Sequence, residues 1–166
     1  MDESGAKTNL TRLRGRAPRG QRVHAACPAG HWHTTTILGA LRLDGSTACM
    51  SIEGTTDTAV FDTYIRQVLA PTLRAGDILV LDNLSSHKNE PTLAWLAQAG
   101  VEVMFLPPYS PDLNPIEKMW SKVKATLRSA AARTPADLVQ AIGDALHGVT
   151  RQDAVNWFAH CGYSFI

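Results

Sequence analysis

Two short apolar runs, DILVLD at 77–82 and VEVMFL at 101–106, flank a helical stretch at 90–99 that closes at Gly100. Each run is too short for a buried helix, and Ile78–Leu81 and Val103–Leu106 are continuous rather than alternating, as in a parallel strand covered on both faces. A strand–helix–strand unit of this kind needs helices on both sides of its sheet, which restricts the chain to a layered α/β architecture. The surrounding segments fit that frame. Residues 21–27 (QRVHAAC) and 31–43 read as strands with Pro28, Ala29 and Gly30 as their turn, and Asp44-Gly45 signals a hairpin returning through 46–53. Helical spacing of Val60, Tyr64, Val68 and Leu69 predicts a helix over 57–73. Further helices are predicted from Pro115 to Arg128, over 135–147 with Thr134 and Pro135 as cap and first residue, and over 151–160. With 166 residues and no internal linker, one domain spanning 1–166 is expected.

Between the second run and the next helix lies LPPYSPDLNPIEKMW, 106–120, which places Pro107, Pro108, Pro111 and Pro115 close together. Each proline fixes its own φ and restricts the residue before it, so the segment is stiff before it folds. A plain connection does not need this, whereas a carboxylate held in one place does, and Glu117 follows at once. Its alternative role is local. With Asn114 as N-cap and Pro115 at N1, Glu117 is the third helical residue and fits a capping box. Helix geometry puts Ile116, Met119, Trp120, Val123 and Leu127 on one apolar stripe and Glu117 off it, in line with Ser121, Lys124 and Arg128. Asp82 ends the first apolar run, where α/β sheets gather ligands, although Asp-Asn also favours a simple Asx turn. Two carboxylates about 4 Å apart repel by roughly 4 kcal/mol at an effective dielectric near 20, a penalty that a shared divalent cation removes.

Charge is unevenly placed in a chain of formal net charge +1. No acid occurs from Gly5 to Leu43, while Lys7, Arg12, Arg14, Arg16, Arg19, Arg22 and Arg42 all do; Lys118, Lys122, Lys124 and Arg128 form a second basic set. Such patches suit a polyanion, and a solvated basic loop is the plain alternative. No apolar run approaches the roughly 20 residues of a spanning helix, and MDESGAKTNLTRLRGR has no signal-peptide core. Cys27, Cys49 and Cys161 form no CxxC or zinc pattern and fit a reducing cytosol, hence a cytoplasmic protein.

Three blocks, MDESG, LVLDNLSSHK and LPPYSPDLNPIEKMW, resemble the catalytic blocks of mariner-type DDE transposases, nearest the bacterial insertion-sequence family numbered six hundred and thirty. The 34 residues between Asp82 and Glu117 are the spacing that superfamily uses. The resemblance implies a ribonuclease-H-like mixed sheet flanked by helices and metal-dependent DNA cutting and joining at transposon ends. It assigns Asp2, Asp82 and Glu117 as ligands of two Mg²⁺ or Mn²⁺ ions. Spacing alone does not select Asp2, since Glu3 is adjacent; Asp44 belongs to its turn. The Arg12–Arg22 stretch resembles the loop that contacts DNA or a second subunit in the superfamily, and an active homodimer is expected. The family's helix-turn-helix end-recognition region has no counterpart here. Because only Met1 precedes Asp2, the first central strand is expected to be truncated. A gap is expected in its place, and the chain alone is expected to be poorly stable and nearly inactive.

Around the acids, Asn83, Asn114 and His87 are candidates for hydrogen bonds that orient the ligands; His87 also reads as a surface residue at a helix entry or as a group approaching the scissile phosphate. His31 and His33 share a strand face but lack a third metal ligand. Trp95, Trp120 and Trp157 read as core, and Trp32 as a surface ring, with stacking on a base as its alternative role. Ser85, Ser86 and His87 are not a hydrolytic triad, because adjacency in sequence does not supply the geometry. Besides the transposase reading, two alternatives stand: a non-enzymatic remnant that still binds DNA, and a different ribonuclease-H-like nuclease.

Overall fold

The computed structural model describes residues 1–164. Strands β1 (Asp2–Lys7), β2 (Thr34–Leu41) and β3 (Thr47–Glu53) form an antiparallel sheet, and β4 (Ile78–Leu81) with β5 (Glu102–Phe105) form a parallel pair. Helix α1 (Thr58–Tyr64) runs on through wider and then tighter turns to Thr72; α2 (Glu90–Gln98) is the crossover between β4 and β5. Helices α3 (Pro115–Ala130), α4 (Pro135–His147) and α5 (Arg151–His160) complete the chain. Asp57, Thr134 and Thr150 cap α1, α4 and α5 through their side chains, and Thr150 with Asp153 closes a full capping box.

Strand β2 is buried on both faces and divides the core. Leu38 and Ala40 pack with Phe61, Tyr64, Ile65, Leu81 and Leu96 under α1 and α2. Ile37 packs on the other side with Ile116, Met119, Trp120, Val123 and Leu127 of α3 and with Leu138 and Ile142 of α4. The predicted α3 stripe is therefore the buried face of that helix. Burial of its five large side chains contributes on the order of 10 kcal/mol before conformational entropy is counted.

Two expectations are corrected. Residues 21–27 form no strand; all of 12–33 is exposed coil, and β2 starts only at Thr34, which leaves His31 and His33 in the loop. QRVHAAC alternates like a strand but cannot pair with β2, whose two edges are taken by β1 and β3. The second correction concerns Asp2, which opens a six-residue strand rather than closing one, so most of that strand lies downstream of the acid. DESGAK reads poorly as a strand, yet pairing Asp2 with Gly39 through Lys7 with Thr34 supplies a complete ladder. Met1 lies where the two sheets meet: its amino group donates to the Val80 carbonyl at 2.8 Å. An apolar groove of about 190 Å³ runs beside it, bordered by Ala40, Leu41, Leu79, Val80 and Ile116.

Candidate active site

Three elements deliver one carboxylate each to a single cleft. Asp2 comes from the first residue of β1, Asp82 from the residue after β4, and Glu117 from the first turn of α3. All three line an open cleft of about 420 Å³ whose far wall is the proline segment, Leu106 to Pro111. That segment is anchored from below: Asn83 Nδ2 donates to the Leu106 carbonyl and the Tyr163 hydroxyl to the Leu113 carbonyl at 3.0 Å. At its tip Tyr109 is fully exposed and left-handed, φ 56°, a conformation that costs a non-glycine residue about 1 kcal/mol.

The capping alternative for Glu117 is not realised. Asn114 occupies the N-cap position but makes no side-chain capping bond, and only its carbonyl receives the Glu117 N–H, at 3.2 Å. Asp82 serves both readings. Its Oδ1 accepts the Leu84 N–H at 3.1 Å, which is the Asx turn, while the carboxylate borders the cleft.

Behind Asp82 sits His87, which is fully buried rather than on the surface, its ring tilted by 36° against Phe61 with 4.8 Å between centres. Its Nδ1 lies 2.7 Å from Asp82 Oδ1, an electrostatic contact outside the angle of an aligned hydrogen bond, and its Nε2 lies 3.4 Å from Glu3 Oε1. The imidazole thus backs Asp82 from the protein side and does not reach open solvent. Asn114 is likewise buried on the cleft wall.

Two residues the sequence did not single out support Asp2. Trp120, read only as core, donates its indole Nε1–H to Asp2 Oδ2 at 3.1 Å. Gly39, the strand partner of Asp2, leaves room for that ring: a Cβ there would stand 2.7 Å from Trp120 Cη2. Burial raises the Asp2 carboxyl to about 6; the Glu3 backbone N–H opposes the shift, and the charge of Glu117 adds to it, with a smaller push from Asp82. The Met1 ammonium, also buried, is lowered to about 6. A buried carboxyl pushed up in part by the charge of a neighbouring carboxylate marks a site suited to a cation, and three hard oxygen donors suit Mg²⁺ or Mn²⁺. Among the described residues, no three His, Cys, Asp or Glu side chains are drawn close enough to grip an ion as they stand.

The basic candidates divide. Arg12, Arg14, Arg16, Arg19 and Arg22 all lie in the coil of 11–33, which is exposed from Arg12 onward. Lys118 is exposed and Lys124 half-buried. Lys122 is already engaged, donating to Asp153 Oδ2 at 2.5 Å and to the Gly148 carbonyl, and so ties α3 to α5 rather than facing a ligand. Trp32 is half exposed, with the Lys7 ammonium 5.7 Å from its ring centre. Cys27, Cys49 and Cys161 are unpaired, and no described helix is long and apolar enough to cross a membrane.

The chain is similar in sequence and in fold to several known proteins. The chain is 31% identical over 85 residues to the Tcb1 transposase of Caenorhabditis briggsae, covering 49% of this chain and 31% of that protein. It is 30% identical over 112 residues to the uncharacterized 39 kDa protein of insertion element IS630 from Shigella sonnei, covering 66% of this chain and 32% of that one. The solved paired-end complex of Mos1 transposase with its left transposon end contains a chain of similar fold, with TM-score 0.75 and 17% identity, covering 95% of this chain and 50% of the Mos1 chain. The chain thus spans about a third of those relatives and half of the Mos1 chain, and its mixed α/β fold, two small sheets flanked by helices in place of the single mixed sheet expected, is ribonuclease-H-like. The family model for DDE superfamily endonucleases matches residues 1–139, which take in all three acids, and the chain belongs to that family.

Proposed function

We propose that this chain is the catalytic domain of a DNA transposase, cleaving DNA strands and joining them to a target. The observation that carries the reading is the convergence of Asp2, Asp82 and Glu117 on one cleft from three separate elements. Asp2, Asp82 and Glu117 would hold the two divalent ions, Mg²⁺ or Mn²⁺. Bound there, such ions would activate a water or 3′-hydroxyl for attack on phosphorus and stabilise the leaving oxygen. The protein's own part is positioning: β1, β4 and α3 fix the acids, His87 and Asn83 hold Asp82 and its loop, and the proline segment shapes the opening. The arginine coil, with Lys118 and Lys124, would neutralise backbone phosphates of double-stranded DNA without reading sequence. Homodimer formation and end recognition by a helix-turn-helix segment belong to the same proposal, as does action in the cytoplasm.

The test is nicking of supercoiled plasmid in Mg²⁺ or Mn²⁺ by the 166-residue chain and by the same chain extended with any in-frame upstream codons, each with Asp82→Asn and Glu117→Gln controls. Metal-dependent nicking lost in both variants is expected, and transfer of a 3′-end into a second duplex separates a transposase from a plain nuclease. Absence of metal-dependent nicking in both forms, or its persistence in the variants, would overturn the proposal. The second reading, a DNA-binding remnant without turnover, is favoured by the acids' open arrangement; it predicts DNA binding with no cleavage.

A further inference from the structure

Helix α3 brings two groups to the same place: the Glu117 carboxylate and, three residues on, the Trp120 indole. The ring is 2% exposed, and a buried indole N–H must find an acceptor. A backbone carbonyl would serve a purely structural tryptophan. Here the acceptor is a side-chain carboxylate on another element, 118 positions away in sequence. The neighbourhood is shaped for that contact. Across the β1–β2 ladder Asp2 faces Gly39, and even one added carbon on Gly39 would collide with the indole at 2.7 Å and with Cys49 Sγ at 2.9 Å.

We infer that Trp120 is a positioning residue, its indole N–H fixing the side chain of Asp2 in the cleft before any cation or DNA arrives. The inference rests on the reading of Asp2 as the first acid of the site. A carboxylate offers about four lone-pair directions. The Trp120 and Glu3 donors occupy part of that capacity and leave the rest for a cation. Without the indole, Asp2 sits at the first residue of a strand with less to select its rotamer. Groups that hold a metal ligand in this way typically change metal affinity by about 10- to 100-fold when removed.

Two replacements separate the N–H from the ring: Trp120→Phe, and the benzothiophene analogue of tryptophan at position 120, which keeps the ring's shape but has sulfur in place of N–H. Three-bond couplings to Asp2 Cγ, measured by NMR on the metal-free chain, report its χ1 distribution. One dominant rotamer is expected in the native chain and averaging over rotamers in the folded variants. Mn²⁺ titration followed by electron paramagnetic resonance should then show affinity about 10-fold weaker in the variants, with Ser121→Ala unchanged. If Asp2 keeps a single χ1 in the benzothiophene variant, or if that variant binds Mn²⁺ like the native chain, the positioning role is wrong. If the native chain binds no Mn²⁺ while χ1 still averages in the variants, the positioning role stands and the metal-dependent reading above fails.

Discussion

Replacing Asp2 with Asn should stabilise the folded chain at neutral pH and do nothing in acid. The carboxyl is raised from 3.8 to about 6, chiefly by burial. A raised native-state value means that between about pH 4 and 6 the folded chain holds a proton which the unfolded chain has released. Stability therefore falls as pH rises through that window and stays lower above it. At about 1.4 kcal/mol per pKa unit, the cost on the alkaline side is about 3 kcal/mol. Asn keeps the shape and still accepts the Trp120 N–H, so the substitution removes the charge with little other loss. The buried Met1 ammonium, lowered from 8.0 to about 6, acts in the opposite sense between those values, and the Asp2 charge partly offsets that lowering, so the variant also loses this contact with Met1. Urea unfolding from pH 3 to pH 8 should give no difference at the acid end, growing to about 3 kcal/mol in favour of the variant by pH 7, or about 6–12 °C in melting temperature. A variant less stable than the native chain at pH 8, or a difference independent of pH, would refute the reasoning.

Glu117→Gln should leave the melting temperature nearly unchanged, because Asn114 and Glu117 form no capping box; a loss above about 1 kcal/mol would restore the capping role. Replacing Arg14, Arg16 and Arg19 together with alanine should weaken DNA binding alike across sequences and reduce the slope of log affinity against log salt by about 3; an unchanged slope would remove the coil from the DNA interface. Asp153→Asn should cost about 1 kcal/mol at pH 7 after solvent screening. The Lys122 and Thr150 bonds hold that carboxyl near 2, so the loss should fade as pH falls from 4 toward 2; a pH-independent loss would contradict it.

What the sequence disclosed followed the strength of its patterns. β4 and β5 were legible as strands because four consecutive apolar residues bounded by acids and turns have few other uses, but the expected cover on both faces is not met, since Ile78 and Met104 are about half exposed. The α3 stripe was legible because Ile116, Met119, Trp120, Val123 and Leu127 repeat at helical spacing. β1 was not, since Asp2, Glu3, Gly5 and Lys7 carry no strand propensity; tertiary pairing with β2 decides it. For the same reason Asp2 entered the site only by resemblance. QRVHAAC misled in the opposite direction, as an alternating pattern without a partner. Trp120 was placed correctly in the core, but nothing in its spacing distinguishes an indole that donates to a carbonyl from one that donates to Asp2. Lys122 shows the converse, a basic residue in a basic run whose charge is already satisfied by Asp153.

The central claim is that Asp2, Asp82 and Glu117 together form one divalent-cation site. Crystals of the chain soaked in Mn²⁺ and measured at the manganese absorption edge test it most directly. The account predicts anomalous peaks in the cleft between the proline segment and α3, within coordination distance of Asp2 and Asp82 or of Asp2 and Glu117, and absent in Asp82→Asn,Glu117→Gln crystals. Peaks confined to other surface acids, or none in the cleft at saturating Mn²⁺, would contradict it.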